Sequence, residues 1–150
     1  MQPNFREGEL RDAELVLELM REFAATQRYP LRDTAAHALR ELLTSPAVGR
    51  VWLVEADGSA VGYIVLTFGF SLEYGGRDAF VDELFVLSSW RGRGLGKAAL
   101  SFALSEASRL GVRAVHLEVE RANPSAQQLY RSSGFESNDR DLMTKRLHAG

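Results

Sequence analysis

Apolar positions in residues 12–26 (DAELVLELMREFAAT) recur at helical spacing, with Leu15, Val16, Leu19, Met20 and Phe23 on one face and Asp12 where an N-cap belongs. Pro30 interrupts the pattern. Asp33 can then cap a second helix from Ala35 to Leu43 that turns Leu39, Leu42 and Leu43 inward. From Arg50 the period changes. VWLVEA, the Asp57-Gly58 step and AVGYIVLTFGF read as an antiparallel hairpin, SLEYGGRD as the next loop, and AFVDELFVL as another strand. LGKAALSFALSEASRL returns to helical spacing, with Leu100, Ala103, Leu104, Ala107 and Leu110 as its buried stripe and Gly111 as its stop. VRAVHLEVE is a strand. ANPSAQQLYRSSG is a short helix with Asn123 as N-cap and Pro124 in the first helical position. FESNDRDLMTKRL supplies an arm and a last strand.

This order predicts an α/β fold with a mixed sheet. The strand-helix-strand unit from Ala79 to Glu120 is a right-handed parallel crossover. Nothing in the chain repeats or reads as a linker, so residues 1–150 are expected to form one domain. The apolar fraction of 45% and charged fraction of 25% are those of an ordinary globular protein. A net charge of −2 gives no global basic field, so nucleic acid is not an expected partner. The absence of cysteine excludes disulfides, thiolate metal sites and a cysteine nucleophile. No apolar stretch reaches membrane-spanning length, and MQPNFREGEL lacks the pattern of a signal peptide. The expected compartment is the cytoplasm, with no membrane partner.

Residues 88–100 (SSWRGRGLGKAAL) concentrate backbone freedom and positive charge at a strand-to-helix junction. The first N–H groups of a helix have no internal partner, and its dipole adds partial positive charge there, so such a junction can hold an anion. Gly92, Gly94 and Gly96 let phosphate oxygens approach the backbone, and Arg91, Arg93 and Lys97 can add charge-assisted bonds. A P-loop fails here, because Ala98 follows Gly96-Lys97 and Arg91 replaces the first glycine. A dinucleotide fingerprint fails on the even glycine spacing and on the antiparallel hairpin that precedes it. The Arg/Gln-x-x-Gly-x-Gly/Ala loop of acyl-CoA-dependent N-acetyltransferases is met by Arg91, Gly94 and Gly96. On this stretch alone, a glycine-rich turn with solvated arginines remains open.

Two longer stretches narrow the choice. FVDELFVLSSWRGRGLGKAAL resembles the acidic strand, pyrophosphate loop and helix of the GNAT (Gcn5-related N-acetyltransferase) superfamily. HLEVERANPSAQQLYRSSGF resembles the strand and helix that follow, with Asn123, Ala126, Leu129, Tyr130, Gly134 and Phe135 meeting Asn-x-x-Ala-x-x-Leu-Tyr-x-x-x-Gly-Phe. The resemblance spans essentially the whole chain and is weakest in residues 1–50. It implies a central, mostly antiparallel sheet splayed around an acyl-CoA cleft and flanked by helices. It also implies acetyl-CoA as acyl donor and no metal.

Carried over residue by residue, the resemblance implies that Leu84, Phe85, Val86 and Leu87 bond pantetheine through their backbone. The loop Arg91, Gly92, Arg93, Gly94, Leu95, Gly96 and Lys97 wraps the pyrophosphate. Asn123 sits beside the cofactor arm, and Tyr130 points its hydroxyl at the CoA sulfur. A backbone N–H near Phe85 suits a developing oxyanion. Tyr130, a phenol with pKa near ~10, is a modest acid for a thiolate whose conjugate acid has pKa near ~8.5. Acids in this strand of the family bind or deprotonate the amine. Alternation sends Asp82 and Glu83 to opposite faces, so one of them faces the cleft; Glu83 is the first candidate and Asp82 the second.

Glu73, Tyr74 and Tyr63 can frame a cationic amine by charge and by cation–π contact. Together with Asp82 and Glu83, Glu73 and Tyr74 are the expected acceptor-binding residues, and the implied acceptor is a small basic molecule. His116, Glu118 and Glu120 share a strand face by alternation and read as its polar side rather than a metal triad. His37 and His148 read as surface residues. Three alternatives stay open: an N-acetyltransferase of proteins or peptides, an acyl-CoA-binding regulatory module without turnover, and, least supported, a nucleotide-dependent phosphotransferase. Homodimers occur in the family, but no residue read here marks an interface.

Overall fold

The computed structural model describes residues 2–27 and 29–148. A five-stranded sheet in the order β1-β2-β3-β4-β5 carries helices on both faces. The elements are β1 (Asn4–Glu7), α1 (Ala13–Ala25), α2 (Ala35–Leu43), β2 (Gly49–Ala56), β3 (Ser59–Ser71), β4 (Gly76–Val86), α3 (Leu95–Arg109), β5 (Ala114–His116) and α4 (Pro124–Ser132). Strands β1 to β4 pair antiparallel, and β4 pairs with β5 in parallel. The mixed sheet, the hairpin and the crossover through α3 are those expected from the pattern.

Two apolar layers sandwich the sheet. On one face Trp52, Ile64, Leu66 and Val81 pack with Leu95, Ala99, Leu100, Ala103 and Ala107 of α3. On the other, Leu53, Tyr63, Val65 and Phe85 pack with Val16, Leu17 and Leu19 of α1 and Leu39 of α2. The α1 stripe is therefore turned by one position from the expected one: Leu17 is buried and Leu15 faces solvent. At the end of α3, Gly111 N–H donates to Ser108 O at 3.1 Å and Val112 N–H to Ala107 O at 2.9 Å, which is the Schellman closure.

Several elements differ from the sequence reading. Strand β1 was not anticipated, since NFRE has a single apolar residue; its Phe5 ring stacks on Phe102 at 4.8 Å. Asp12 precedes α1, yet its carboxylate caps the turn before it, accepting from Glu9 N–H at 2.8 Å. The same buried carboxylate accepts from both terminal nitrogens of Arg6 at 3.0 and 3.1 Å, and Arg6 also reaches Glu55 at 3.1 Å. Thr34, not Asp33, is the residue before α2. Strand β5 is three residues long rather than the whole of 112–120. Beyond His116 it has no neighbour in the sheet, because β4 turns away from it and β5 is the last strand in the order.

The expected last strand is absent: residues 136–148 form no regular element. A strand needs a ladder, and among the described residues no edge pairs with that segment. Among the described residues no helix is long and apolar enough to cross a membrane.

Candidate active site

Strand β4 makes the site possible by being irregular. It pairs with β3 as Val65↔Glu83 and then Leu66↔Val81, so Asp82 is an extra, unpaired residue in a bulge. Parallel pairing to β5 ends just before it, at Phe80↔His116. From Val81 to Val86 the β5-side edge of β4 is consequently open, and the two strands diverge. The stretch Leu84–Leu87, expected to bond a pantetheine arm, lies on this open length. Leu87 N–H is already taken by Val61 O at 2.8 Å, so Leu87 can offer only its carbonyl.

The bulge also decides which acid turns where. Glu83 shares a face with Val65, Tyr63 and Phe85, the face covered by α1 and α2. Its Oε1 accepts a hydrogen bond from the Tyr63 hydroxyl at 2.6 Å. Tyr63 is fully buried, its ring packed at 6.5 and 6.1 Å from Phe23 and Phe85, which stack on each other at 5.2 Å. It therefore holds Glu83 and does not line an opening, which corrects the expectation that it frames an acceptor. Loss of hydration raises the Glu83 carboxyl above its usual range; the Tyr63 bond opposes that rise and the neighbouring Asp82 charge adds to it. The Tyr63 phenol is held far above its usual range, first by burial and then by the Glu83 charge. Asp82 keeps solvent contact in the bulge, though partial loss of hydration raises its carboxyl too.

The glycine loop follows a single 3₁₀ turn at Ser88–Trp90. Gly92 and Gly94 take φ of 76° and 79°, the left-handed region that glycine enters without steric cost. Gly94 is the residue before α3. Among the described residues the amides of Gly92, Arg93 and Gly94 find no backbone acceptor, and the first amides of α3 have none within the helix. A Cβ built on Gly92 or Gly94 would meet nothing within 4 Å, so the space beside these amides is open. Donors facing an open cradle at a helix N-terminus fit a pyrophosphate. The basic side chains divide. Arg91 donates to Val86 O at 3.0 Å, and the Arg93 guanidinium lies over Trp90 at 4.5 Å. Lys97 is exposed on the first turn of α3.

Tyr130 stands on α4, half-buried, with Phe135 edge-on at 6.1 Å. It packs with the α3 layer, so it approaches from the opposite face of the sheet to Glu83. Burial raises its phenol, which keeps it protonated through the neutral range. Asn123 caps α4, its Oδ1 accepting from Ala126 N–H at 3.1 Å, with Pro124 opening the helix.

The expected acceptor residues are only partly available. Glu73 is paired with Arg140 at 2.8 Å, which lowers its carboxyl and engages its charge. Tyr74 lies against His116, ring centres 5.2 Å apart, and Phe80 flanks the same imidazole at 5.0 Å. His116 itself bonds Asp78 at 3.0 Å. Glu118 and Glu120 lie beyond the end of β5 and are exposed, so the expected alternation on one strand does not form. Phe80, Asp78 and His116 were missed as site neighbours. The signal present in the sequence was the alternation of Asp78, Phe80 and the following acids along one strand.

The family model described as the acetyltransferase (GNAT) family matches residues 16–135. An N-acetyltransferase of Bacillus subtilis strain 168, YhfO, whose name carries the word uncharacterized, is 25% identical over 135 residues, covering 90% of this chain and 91% of that protein. A second B. subtilis N-acetyltransferase, YycN, similarly named, is 36% identical over 76 residues; the match covers 50% of this chain and 47% of YycN. The solved structure of an integron cassette protein from the mobile metagenome of Cole Harbour Salt Marsh superposes with a TM-score of 0.87 at 39% identity, over 97% of this chain and 91% of that one.

Proposed function

The chain belongs to the acetyltransferase (GNAT) family and is an N-acetyltransferase, and from that premise we propose that it acetylates a primary amine of a small basic molecule by direct attack on the thioester of acetyl-CoA. The family generally uses acetyl-CoA, which supplies the activated acetyl group when bound. The observation that carries the reading is the parting of β4 from β5 beside a loop of unpaired amides. The amides of Gly92 to Lys97 grip the pyrophosphate, and the open edge of β4 from Leu84 takes the arm. Lys97 adds charge, Arg91 and Arg93 swing from their resting partners, and Asn123 borders the arm from α4.

Glu83 and Tyr130 then have separate work on the two sides of the sheet. An alkyl ammonium with pKa near ~10.4 must lose a proton, which costs roughly 4.6 kcal/mol at pH 7. Glu83, ionised and held by Tyr63, accepts that proton directly or through water, with Asp82 adding negative charge at the mouth. A backbone amide near Phe85 faces the developing oxyanion. Tyr130, protonated, supplies a proton to the departing sulfur. Tyr74 and Phe80, the latter two residues before Asp82, pack their rings on His116, and with Glu73 they are the groups that would receive a cation.

The test is a CoA-thiol release assay against polyamines, amino acids, aminoglycosides and peptides, beside calorimetry with CoA, ATP and NAD. Release with one class of small basic amine and micromolar-range CoA binding without competition from ATP or NAD are expected. Release with peptides alone would move the assignment to protein acetylation. CoA binding with no release across the panel would leave an acyl-CoA-binding module, and ATP binding without a response to CoA would reject the site.

A further inference from the structure

Asp78 and His116 form a pair that the proposed transfer step does not use. Asp78 and Phe80 lie two residues apart on β4 and so share a face. Their β3 partners, Gly69 and Thr67, continue the row that leads to Val65, the partner of Glu83. Asp78 and Phe80 are therefore on the same face of the sheet as Glu83. His116 is the parallel partner of Phe80 and the last residue of β5 to be paired. Its side chain joins that face where the two strands part.

The His116 ring is fixed from three sides. Its Nε2 lies 3.0 Å from Asp78 Oδ2, and the rings of Tyr74 and Phe80 stand at 5.2 and 5.0 Å. The carboxylate is seated over a glycine: a Cβ added at Gly69 would stand 2.8 Å from Asp78 Oδ1. A carboxylate only accepts hydrogen bonds, so the ring nitrogen facing it carries the hydrogen, and a neutral imidazole then keeps its lone pair at Nδ1. Among the described residues no hydrogen bond reaches that nitrogen, and no arginine or lysine is ion-paired with Asp78. The pair carries one negative charge and is not sealed. The His116 side chain is 25% exposed and Phe80 36%, and both lie outside the layer packed under α1 and α2.

We propose that His116, held by Asp78, is a specificity-determining residue: its Nδ1 accepts a hydrogen bond from a second ammonium of the acceptor while the reacting amine is presented to Glu83. The inference rests on the acetyl-transfer reading and names the acceptor class for that same site. From Phe80 to Glu83 is three residues of β4, one of them in the bulge, or ~7–10 Å at about 3.3 Å per residue. Strand β5 lies ~4.8 Å across, so the two positions are roughly 8–11 Å apart. An α,ω-diamine of six to eight carbons spans that distance. The Tyr74 and Phe80 rings add cation–π attraction at its far end. A monoamine of the same length covers Nδ1 with methyl hydrogens and leaves the pair without a donor, which disfavours its binding.

Thiol-release kinetics with α,ω-diamines of four to ten carbons, each beside the 1-aminoalkane of equal length, test it. The KM of the six- to eight-carbon diamines is expected at least about tenfold below that of the matching monoamines, the size of one hydrogen bond to a charged group. In His116→Phe, which keeps a ring between Tyr74 and Phe80 and removes both nitrogens, that ratio should fall to about threefold or less. Asp78→Asn removes the charge, and Gly69→Ala displaces the carboxylate from a position that does not touch the acceptor. Both should lower the ratio in the same direction, with the circular dichroism of the parent. A ratio that is the same in the parent and in every folded variant, or a loss confined to kcat, overturns the subsite. Monoamines turned over as efficiently as diamines by the parent also overturn it and leave acetyl transfer standing. Thiol release with no amine, while CoA binds, overturns both.

Discussion

Replacing Tyr63 by Phe removes one oxygen atom and leaves the ring packed beside the stacked Phe23–Phe85 pair. The lost interaction is a 2.6 Å hydrogen bond to Glu83 within a half-buried site. Hydrogen bonds to charged groups contribute about 1.5–3 kcal/mol, and one pKa unit corresponds to about 1.36 kcal/mol, so Glu83 should titrate roughly 1–2 units higher in the variant. The sign is fixed by which form is stabilised. The phenol donates to the carboxylate and favours ionisation; without it, loss of hydration acts unopposed and the carboxyl rises further. If Glu83 must be ionised to receive the amine proton, the acid limb of kcat/KM moves up by that amount, while the rate on the alkaline side stays near that of the parent. Stability follows the same sign. A carboxyl raised on folding disfavours the fold increasingly as pH climbs through its folded pKa, so Tyr63→Phe should lose more stability at pH 8 than at pH 5. Thiol-release rates from pH 5 to 9 for the parent, Tyr63→Phe and Glu83→Gln read the effect. An acid limb in the same place for the parent and Tyr63→Phe, with Glu83→Gln still active, removes Glu83 as the base and Tyr63 as the residue that positions it.

Gly94→Val puts a β-branched residue at φ 79°, a strain of about 1–2 kcal/mol, but its Cβ enters open space, so the protein should fold and lose CoA affinity at least tenfold by calorimetry. Normal CoA binding in the folded variant takes the loop out of the site. Tyr130→Phe should lower turnover by roughly 100-fold, at the modest end of acid catalysis, with CoA affinity little changed; unchanged turnover means that water protonates the sulfur. Asp12→Ala removes the buried acceptor of Arg6 and Glu9 and should cost about 1.5–3 kcal/mol in urea unfolding at pH 7. The Arg6 guanidinium holds that carboxyl below the usual range, so the difference between parent and variant is complete above about pH 4 and shrinks as pH falls through the depressed folded value. A gap that persists at pH 2 assigns the loss to packing instead.

What could be read from the chain divides by how far each residue's partner lies along it. The ends of α3 and α4 were legible because their closures are local: Gly111 with Ser108 and Ala107, Asn123 with Ala126. The period-two hairpin was legible for the same reason. Strand β5 was overestimated, since VRAVHLEVE alternates well but only Ala114–His116 meet a neighbour in β4. Residues 136–147 read as an arm and a last strand by their position in the order, and among the described residues they find no ladder. Strand β1 failed in the opposite sense. Its four residues look polar, and only the β2 edge and the Phe102 ring make them a strand. At the site, residue types and spacing picked out the loop, the acids and Tyr130. They did not show that Tyr63 is a buried partner of Glu83, nor that Glu73 is engaged by Arg140, because both pairings cross long stretches of sequence.

The bulge at Asp82 links the fold to the chemistry. In an unbroken strand Val81 and Glu83 would share a face, and Val81 belongs to the layer against α3. Glu83 would then be driven into that apolar layer, where an ionised carboxylate has no partner. The extra residue moves Glu83 and Phe85 to the opposite face, where Tyr63 stands ready to donate. It also bends β4 and increases its twist at the point where pairing with β5 stops, so the edge from Val81 onward is left open. A single inserted residue thus sets the Glu83 carboxylate beside Tyr63 and leaves the following edge of β4 open. The two effects share one cause, the one residue by which β4 exceeds β3 between Val81 and Glu83.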